Sequence, residues 1–313
     1  MSKLKFNKGK LEEQIHKIFP NSKIKNVKEF KTGLVSPTFK VDIINPKKSL
    51  VIKLTRKKNK NKIDTNNKIL TYLNKHKILF PKIFFTKIFD KKIITLMEYI
   101  QGDVASSVYK KNKKIRKKML LNAGKVLKRI HSLKIPSFWV HQHHEIKTEK
   151  EWKKWTRLRS KKYLNFFQNK LPEYYTSLEE ELGNFLEILE EEKKIKFVPL
   201  HWDYHLSNLN ADASGKIKGV FDFDNAMKGH NLADIGQTAY WIRFHTKDYK
   251  NFKYFLKGYK SKFSKKELKI IRGYFLLHLL AVTRTIWYKQ PRLTWIIKDH
   301  KKILSEFMEG KIR

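Results

Sequence analysis

The sequence predicts an α+β protein in two unequal parts: a small antiparallel sheet with one helix over residues 1–100, then a larger, mostly helical part over residues 101–313. Three observations predict it. Short apolar runs with period-two alternation and Gly, Pro, Asn or Asp punctuation recur up to Glu98. Beyond Asp103 the apolar positions fall at helical spacing in long segments. A chain of 313 residues with 41% hydrophobic content can bury one large core or two modest ones.

Taken in order, Leu11, Ile15, Ile18 and Phe19 mark a short amphipathic helix that ends before Pro20. Lys23 to Phe30 and Thr38 to Ile44 read as strands flanking a loop at Gly33. The turn Asn45-Pro46-Lys47-Lys48 leads to a third strand, Leu50 to Thr55, and the three form an antiparallel meander. A helix carries Ile69, Leu70 and Leu73 on one face. Two further strands follow, Ile83 to Phe89 and Ile93 to Met97, joined by Asp90-Lys91-Lys92. Gln101-Gly102 is the expected hinge between the parts. In the helical part, capping-box spacings at Ser177/Glu180 and Ser264/Glu267 mark two helix starts. The most apolar run, Tyr274 to Val282, is about half of the ~20 residues a membrane-spanning helix requires, so it reads as a buried helix.

The formal net charge is +41, from 70 Lys and Arg against 29 Asp and Glu. Such an excess suits a polyanion-binding module, for which nucleic acid or an anionic membrane is the usual partner. Here, however, the lysines accompany abundant Ile and Asn along the whole chain and gather in no patch. Genome composition accounts for that pattern, and no nucleic-acid or membrane partner is expected. With no cysteine, disulfides and thiolate metal sites are excluded. The basic N-terminus is followed by no apolar segment, which points to a cytoplasmic protein.

Chemistry concentrates in Leu200 to Ala226, LHWDYHLSNLNADASGKIKGVFDFDNA. Asp203 and Asn208 are separated by four residues, which a tight loop can turn toward one cavity. Asp222 comes fourteen residues after Asn208. If this segment is a strand, alternation sets Phe221 and Phe223 on one side and Asp222 and Asp224 on the other. Oxygen ligands from Asn208 and Asp222 suit Mg2+, which keeps several waters and takes oxygens from nucleotide phosphates. Asp203 is then available as a base to orient a hydroxyl and accept its proton during phosphoryl transfer.

HWDYHLSN followed by VFDFDNA and LADIG resembles the aminoglycoside phosphotransferase and choline kinase-like family of small-molecule kinases. Upstream, TGLVSPTFKV precedes LVIKL in the order of that family's phosphate-covering loop and strand lysine. The resemblance spans roughly Phe30 to Trp241. It implies a bilobal protein kinase-like fold, with a nucleotide-binding first lobe and a catalytic and substrate-binding second lobe. It implies ATP and Mg2+ as cofactors and a small-molecule hydroxyl as acceptor. Gly33 and Ser36 would lie in the phosphate loop, and Lys53 would meet phosphate. Backbone groups of Glu98 to Ile100 would receive adenine. Asp203 and Asn208 would be the catalytic pair, with Asn208 and Asp222 on the metal and His201 bracing the loop. Asp234 would accept hydrogen bonds from that loop.

Blander readings stand beside these. Taken alone, Lys53 is an exposed strand lysine, and Gly33 with Pro37 does not make a Walker-type cradle. The loop His141 to His144 is read as solvated and not as a metal site. Trp241 and Trp287 are read as helical core in preference to a cation box. The sequence also departs from the family pattern in three places. Asn66, with Asp64 nearby, stands where a glutamate partner for the lysine is usual. Gly229-His230-Asn231 replaces Gly-Asp-Pro and is expected at the rim of the site. Trp202 takes the place of a small residue, either crowding the loop or walling the substrate.

A nucleotide-binding pseudokinase, a protein kinase and a polyanion-binding module are the rival functions. Asp203, Asn208 and Asp222 argue against the first. Against the second, DFD stands where D-F-G is expected and no A-P-E follows. The lysine-rich helices after Asp234 predict a small neutral or anionic acceptor over a polycation. Acceptor identity and oligomeric state are not encoded legibly.

Overall fold

The computed structural model describes residues 8–30, 37–56, 60–78, 80–89, 92–139, 146–247, 249–290 and 292–312, except for the side chains of residues 8, 56, 60–63 and 66. Gly33, Ser36 and the loop His141 to His144 therefore lie outside the described residues, as does the side chain of Asn66. The chain divides into two compact units, Met1–Gln101 and Gly102–Arg313.

The first unit begins with α1 (Lys8–His16), which buries Leu11 and Ile15 against the sheet core. The sheet contains β1 (Lys23–Glu29), β2 (Thr38–Ile44), β3 (Lys48–Arg56), β4 (Ile83–Phe89) and β5 (Lys92–Glu98). All pairings are antiparallel, in the order β1-β2-β3-β5-β4. After β3 the chain passes through α2 (Lys60–Lys75) to the edge strand β4, then returns by a hairpin to pair β5 with β3. Asn67 of α2 donates to Thr86 Oγ1 of β4 at 2.9 Å.

Alternation along β3 is clear-cut. Leu50, Ile52 and Leu54 are at most 2% exposed, while Val51, Lys53 and Thr55 on the other face are partly exposed. Lys53 is thereby turned off the core, paired in register with Thr38 on one side and Thr95 on the other.

The second unit contains β6 (Asp103–Val104), α3 (Ala105–Lys111), α4 (Arg116–His131), α5 (Glu149–Lys170) and α6 (Tyr175–Glu190). Then come β7 (Phe197–Leu200), β8 (Leu209–Ala211), β9 (Ile217–Val220), β10 (Met227–His230) and α7 (Asn231–Thr246). It ends with α8 (Phe252–Tyr259), α9 (Lys265–Lys289) and α10 (Thr294–Met308). Two small antiparallel sheets, β10-β7 and β6-β8-β9, carry the segment from Leu200 to Ala226.

Ser264 caps α9 through a full capping box with Glu267, as its spacing predicts. Ser177 does not start a helix: α6 begins at Tyr175 after the 3₁₀ turn Pro172–Tyr174, so Ser177 lies in its first turn. Proline at the head of that turn fixes the start earlier than the serine could. A second full capping box, Thr148/Glu151, heads α5 with the same spacing, which the sequence reading does not include.

Tyr274 to Leu280 are buried in α9 apart from His278, which is partly exposed. Among the described residues no helix is long and apolar enough to cross a membrane. Helix α7 is locked in place by polar ties. Arg243 donates to both carboxylate oxygens of Glu306 at 2.6 Å, and His300 bridges Tyr240 at 2.7 Å and Thr283 at 2.8 Å. Helices α4 and α8 approach so closely that a Cβ on Gly124 would lie 2.2 Å from the Phe255 carbonyl. This holds α4 where the Ala123 carbonyl accepts the Tyr204 hydroxyl at 2.8 Å.

Candidate active site

Asp203 sits in the loop between β7 and β8, and the loop is held from below by one carboxylate. Asp234, in the first turn of α7 and fully buried, accepts the His201 N–H at Oδ2 (2.7 Å) and the Trp202 N–H at Oδ1 (2.9 Å). His131 approaches the same Oδ2 with Nε2 at 3.1 Å. A carboxylate there can only accept, so Nε2 carries the proton and Nδ1 accepts from the Tyr259 hydroxyl at 2.8 Å. Burial pushes that hydroxyl up to about 12, which keeps it a donor at neutral pH. The two amides fixed by Asp234 hold Trp202 at φ +61°, a left-handed conformation a bulky residue adopts only when its surroundings impose it.

His201 then joins this loop to the next. Its Nδ1 accepts the Asp203 N–H at 3.2 Å, which puts the proton on Nε2, and Nε2 donates to the Phe221 carbonyl at 2.8 Å. Burial lowers the His201 pKa more than Asp234, Asp203 and Asp222 raise it. The ring is thus a neutral brace with both nitrogens used, unsuited to carrying a proton.

Asn208 donates from Nδ2 to the Asp203 carbonyl at 3.0 Å and to Asp203 Oδ2 at 3.3 Å. Because both partners are acceptors, the amide orientation is fixed by chemistry, and Oδ1 is the atom left to address a cation. The Asn208 carbonyl accepts the Phe221 N–H at 2.8 Å, extending the β8-β9 register by one pair beyond Leu209 and Val220. That pairing brings Asp222, the next residue, beside the Asp203 loop.

The strand itself stops at Val220, which corrects the alternation expected for Phe221 to Asp224. Asp222 is left-handed, φ +63° and ψ +61°, and Phe223–Asn225 form a 3₁₀ turn. The turn buries Phe223 against His201 and Trp139, leaves Asp222 exposed and leaves Asp224 only partly so. A left-handed residue breaks the period of two, and a short polar side chain such as Asp tolerates it best. The two aspartates are therefore distinguished by backbone conformation and not placed together by pleat.

The Asp203 side chain is 25% exposed. Burial draws its carboxyl upward, but His205, 3.5 Å from Oδ1, together with His201 and His278, outweighs this and leaves it below its ordinary 3.8. Asp203 is ionised at neutral pH and can accept a hydroxyl proton's hydrogen bond. Asn208 Oδ1 and the Asp222 carboxylate are hard oxygens of the kind Mg2+ takes beside water and phosphate, and among the described residues no group of three or more His, Cys, Asp or Glu could hold a metal ion.

The remaining expectations fare unevenly. The N–H of Glu98 is committed to the Lys82 carbonyl at 2.8 Å, which removes that group from those expected to meet adenine. Gly229, His230 and Asn231 are buried, not at a rim. A Cβ on Gly229 would lie 2.0 Å from the Trp152 ring, and His230 Nδ1 meets the Tyr274 hydroxyl at 3.1 Å. Trp202 does not crowd the loop: its ring packs on Trp152 and Trp155. Trp241 and Trp287 have separate partners, His205 and His245 for one and Phe166 for the other.

Sequence reasoning missed Arg159 and Trp155, although Trp152, Trp155 and Arg159 share a helical stripe at i, i+3 and i+7 on α5. It also missed His245 and His278, which only the packing of α7 on α9 brings near His205.

Comparison with known proteins defines the class. The phosphotransferase enzyme family model matches residues 26–260, and the chain belongs to that family. Among solved structures it is similar to the apo form of a thermostable mutant of aminoglycoside phosphotransferase APH(4)-Ia. The TM-score is 0.69 at 14% identity, covering 96% of this chain and 99% of that one. The GDP complex of aminoglycoside 2'-phosphotransferase-IIIa gives 0.66 at 12% identity, with 98% and 100% covered. Spectinomycin phosphotransferase APH(9)-Ia, in complex with ADP and spectinomycin, gives 0.61 at 17% identity, with 97% and 98% covered. The kinase-like α+β fold follows from these likenesses. A search of curated protein sequences finds no significant match.

Proposed function

We propose that the protein is an ATP-dependent kinase that transfers the γ-phosphoryl group to a hydroxyl of a small metabolite. The observation that carries the reading is the lock between two loops. Asn208 holds the Asp203 carboxylate with its side chain and, with its carbonyl, the Phe221 N–H that presents Asp222. One residue thus ties the base to the cation ligand, as phosphoryl transfer by positioning and charge requires.

In this reading Asp203 orients the acceptor hydroxyl and takes its proton as the oxygen attacks the γ-phosphorus and ADP departs. Asn208 Oδ1 and the Asp222 carboxylate would hold Mg2+, which when bound offsets the charge of the nucleotide phosphates. His201 keeps the two loops in register, and Asp234 keeps the Asp203 loop from relaxing. In the first unit, Lys53 serves nucleotide phosphate, with Gly33 and Ser36 in the phosphate loop. The backbone around Glu98 and Ile100 serves adenine. Support comes from the family membership and from neighbours whose complexes contain ADP, AMP-PNP or GDP. The protein is read as acting in the cytoplasm.

The test is ADP release with ATP and Mg2+ against a panel of amino alcohols, sugars, sugar acids, hydroxy amino acids and aminoglycosides. At least one acceptor should raise ADP release well above the rate with water alone. ATP binding with no acceptor-dependent turnover anywhere in the panel would favour the pseudokinase instead.

A further inference from the structure

Near Asp203, the second unit sets an arginine among aromatic rings. Arg159 of α5 lies with its guanidinium carbon 4.4 Å from the Trp155 ring centroid and 5.5 Å from that of Trp202, the residue before Asp203. Its Nε donates to the Tyr163 hydroxyl at 3.2 Å. Among the described residues it faces no carboxylate within ion-pair distance, although Arg243 and Arg272 in the same unit each have one. An arginine stacked on aromatic faces can still offer its remaining guanidinium donors to a planar anion.

A second, nitrogen-rich cluster surrounds His205. His205 is followed by Trp241, 4.8 Å between ring centroids, and Trp241 stacks on His245 at 5.4 Å and meets His278 at 5.6 Å. Trp241 Nε1, His245 Nε2 and His278 Nε2 are buried and have no hydrogen-bond partner among the described residues. Each of these atoms is shut off from solvent, so they belong to the packing behind Asp203 and are not contact points for an acceptor. Burial lowers His245 to about 4 and His278 to about 3, so both are neutral at pH 7. The charges of Asp203 and Arg159 both act on His278, the first raising its pKa and the second lowering it, which puts the three groups in one neighbourhood. Lys110 and Lys247 also act on His245, so the charged groups around these imidazoles include Asp203, Arg159 and both lysines.

We infer that the acceptor is a hydroxylated organic anion, a hydroxy acid or sugar acid, whose carboxylate docks on Arg159 over the Trp155 and Trp202 rings. The reacting hydroxyl lies at Asp203. This deepens the kinase reading and rests on it only in calling the bound anion the acceptor.

Matched probes isolate the anion. Glycerate, glycerol and 3-amino-1,2-propanediol share a three-carbon frame; gluconate, sorbitol and glucamine share a six-carbon one. Titrations at constant ionic strength, read by tryptophan fluorescence, give a Kd for each. At least one acid should bind about tenfold or more tightly than its neutral and cationic counterparts. Arg159→Gln should erase that preference while Arg159→Lys keeps part of it, and the Kd for ATP should stay within about twofold in both. Equal binding of acid and polyol in both series, or an acid preference that survives Arg159→Gln, overturns the inference. If the acids bind through Arg159 and none is phosphorylated while another acceptor of the panel is, the inference that the bound anion is the acceptor is overturned and the kinase reading stands.

Discussion

Replacing Asp234 by Asn should damage the Asp203 loop from beneath without touching any atom proposed to meet substrate. The carboxylate accepts three hydrogen bonds, from His201 N–H, Trp202 N–H and His131 Nε2, all in the core. Asparagine offers one oxygen. If Nδ2 replaces Oδ2, it faces the His201 amide and the His131 ring N–H as donor against donor; in the flipped orientation it faces the Trp202 amide. At least one buried N–H is orphaned either way, at about 1–3 kcal/mol, and the surviving bonds lose their charge assistance. A total near ~3 kcal/mol follows, which for a unit of this size is about 6–12 °C in Tm. With the loop loosened, Asp203 loses its position, so kcat should fall about tenfold to a hundredfold while the Kd for ATP changes little. Urea unfolding by circular dichroism, beside ADP release and ATP titration, measures all three. A variant within about 0.5 kcal/mol of the parent, with normal kcat, would show that Asp234 does not hold the loop.

Lys53→Ala should lower kcat/KM for ATP by far more than it lowers Tm, because the side chain stands on the exposed face of β3 opposite Leu50, Ile52 and Leu54; a large Tm loss with unchanged kinetics would refute the assignment. Asp222→Asn should abolish activity at ordinary Mg2+, whereas Asp224→Asn should leave a rate that extra Mg2+ partly restores; a Mg2+ titration of initial rates with the reverse result would reassign the ligand. Asn tolerates the left-handed backbone at 222 as well as Asp does, so this variant tests charge and not strain. Stability should fall as pH drops from about 6.5 toward 4, since burial holds His230, His245, His278 and His300 at about 3, 4, 3 and 4. In that window the unfolded chain takes up protons that the folded chain refuses. A Tm flat from pH 7 to 4.5 would contradict this.

Sequence alone exposed the elements whose signal is local and periodic. The β3 alternation is one: it separated Lys53 from Leu50, Ile52 and Leu54 without knowledge of the partner strands. The Ser264/Glu267 cap is another, since its hydrogen bonds lie within four residues. The Asp203 to Asn208 spacing also survived, because a tight loop leaves little choice of where its ends point. Periodicity misled where the backbone left its regular region. Asp222 at φ +63° ends the pleat, so the strand reading of Phe221 to Asp224 failed. Ser177/Glu180 carried a capping signature that Pro172 pre-empted by starting the turn earlier. The Arg159 contact was invisible for a different reason. Arg159 lies on α5 and Trp202 in the Asp203 loop, 43 residues further on, and only packing brings them together.

Asp203 is the centre of the account, and Asp203→Asn tests it most directly. The substitution preserves shape, and Asn208 Nδ2 still has the residue 203 carbonyl, 3.0 Å away in the parent, to hold the loop. The measurement pairs a calorimetric titration with ATP and Mg2+ against single-turnover phosphoryl transfer to the best acceptor. The Kd for ATP should remain within about twofold of the parent, and the transfer rate should fall by ~10²- to 10⁴-fold, the loss typical of a general base. Near-normal transfer with intact ATP binding would contradict the account.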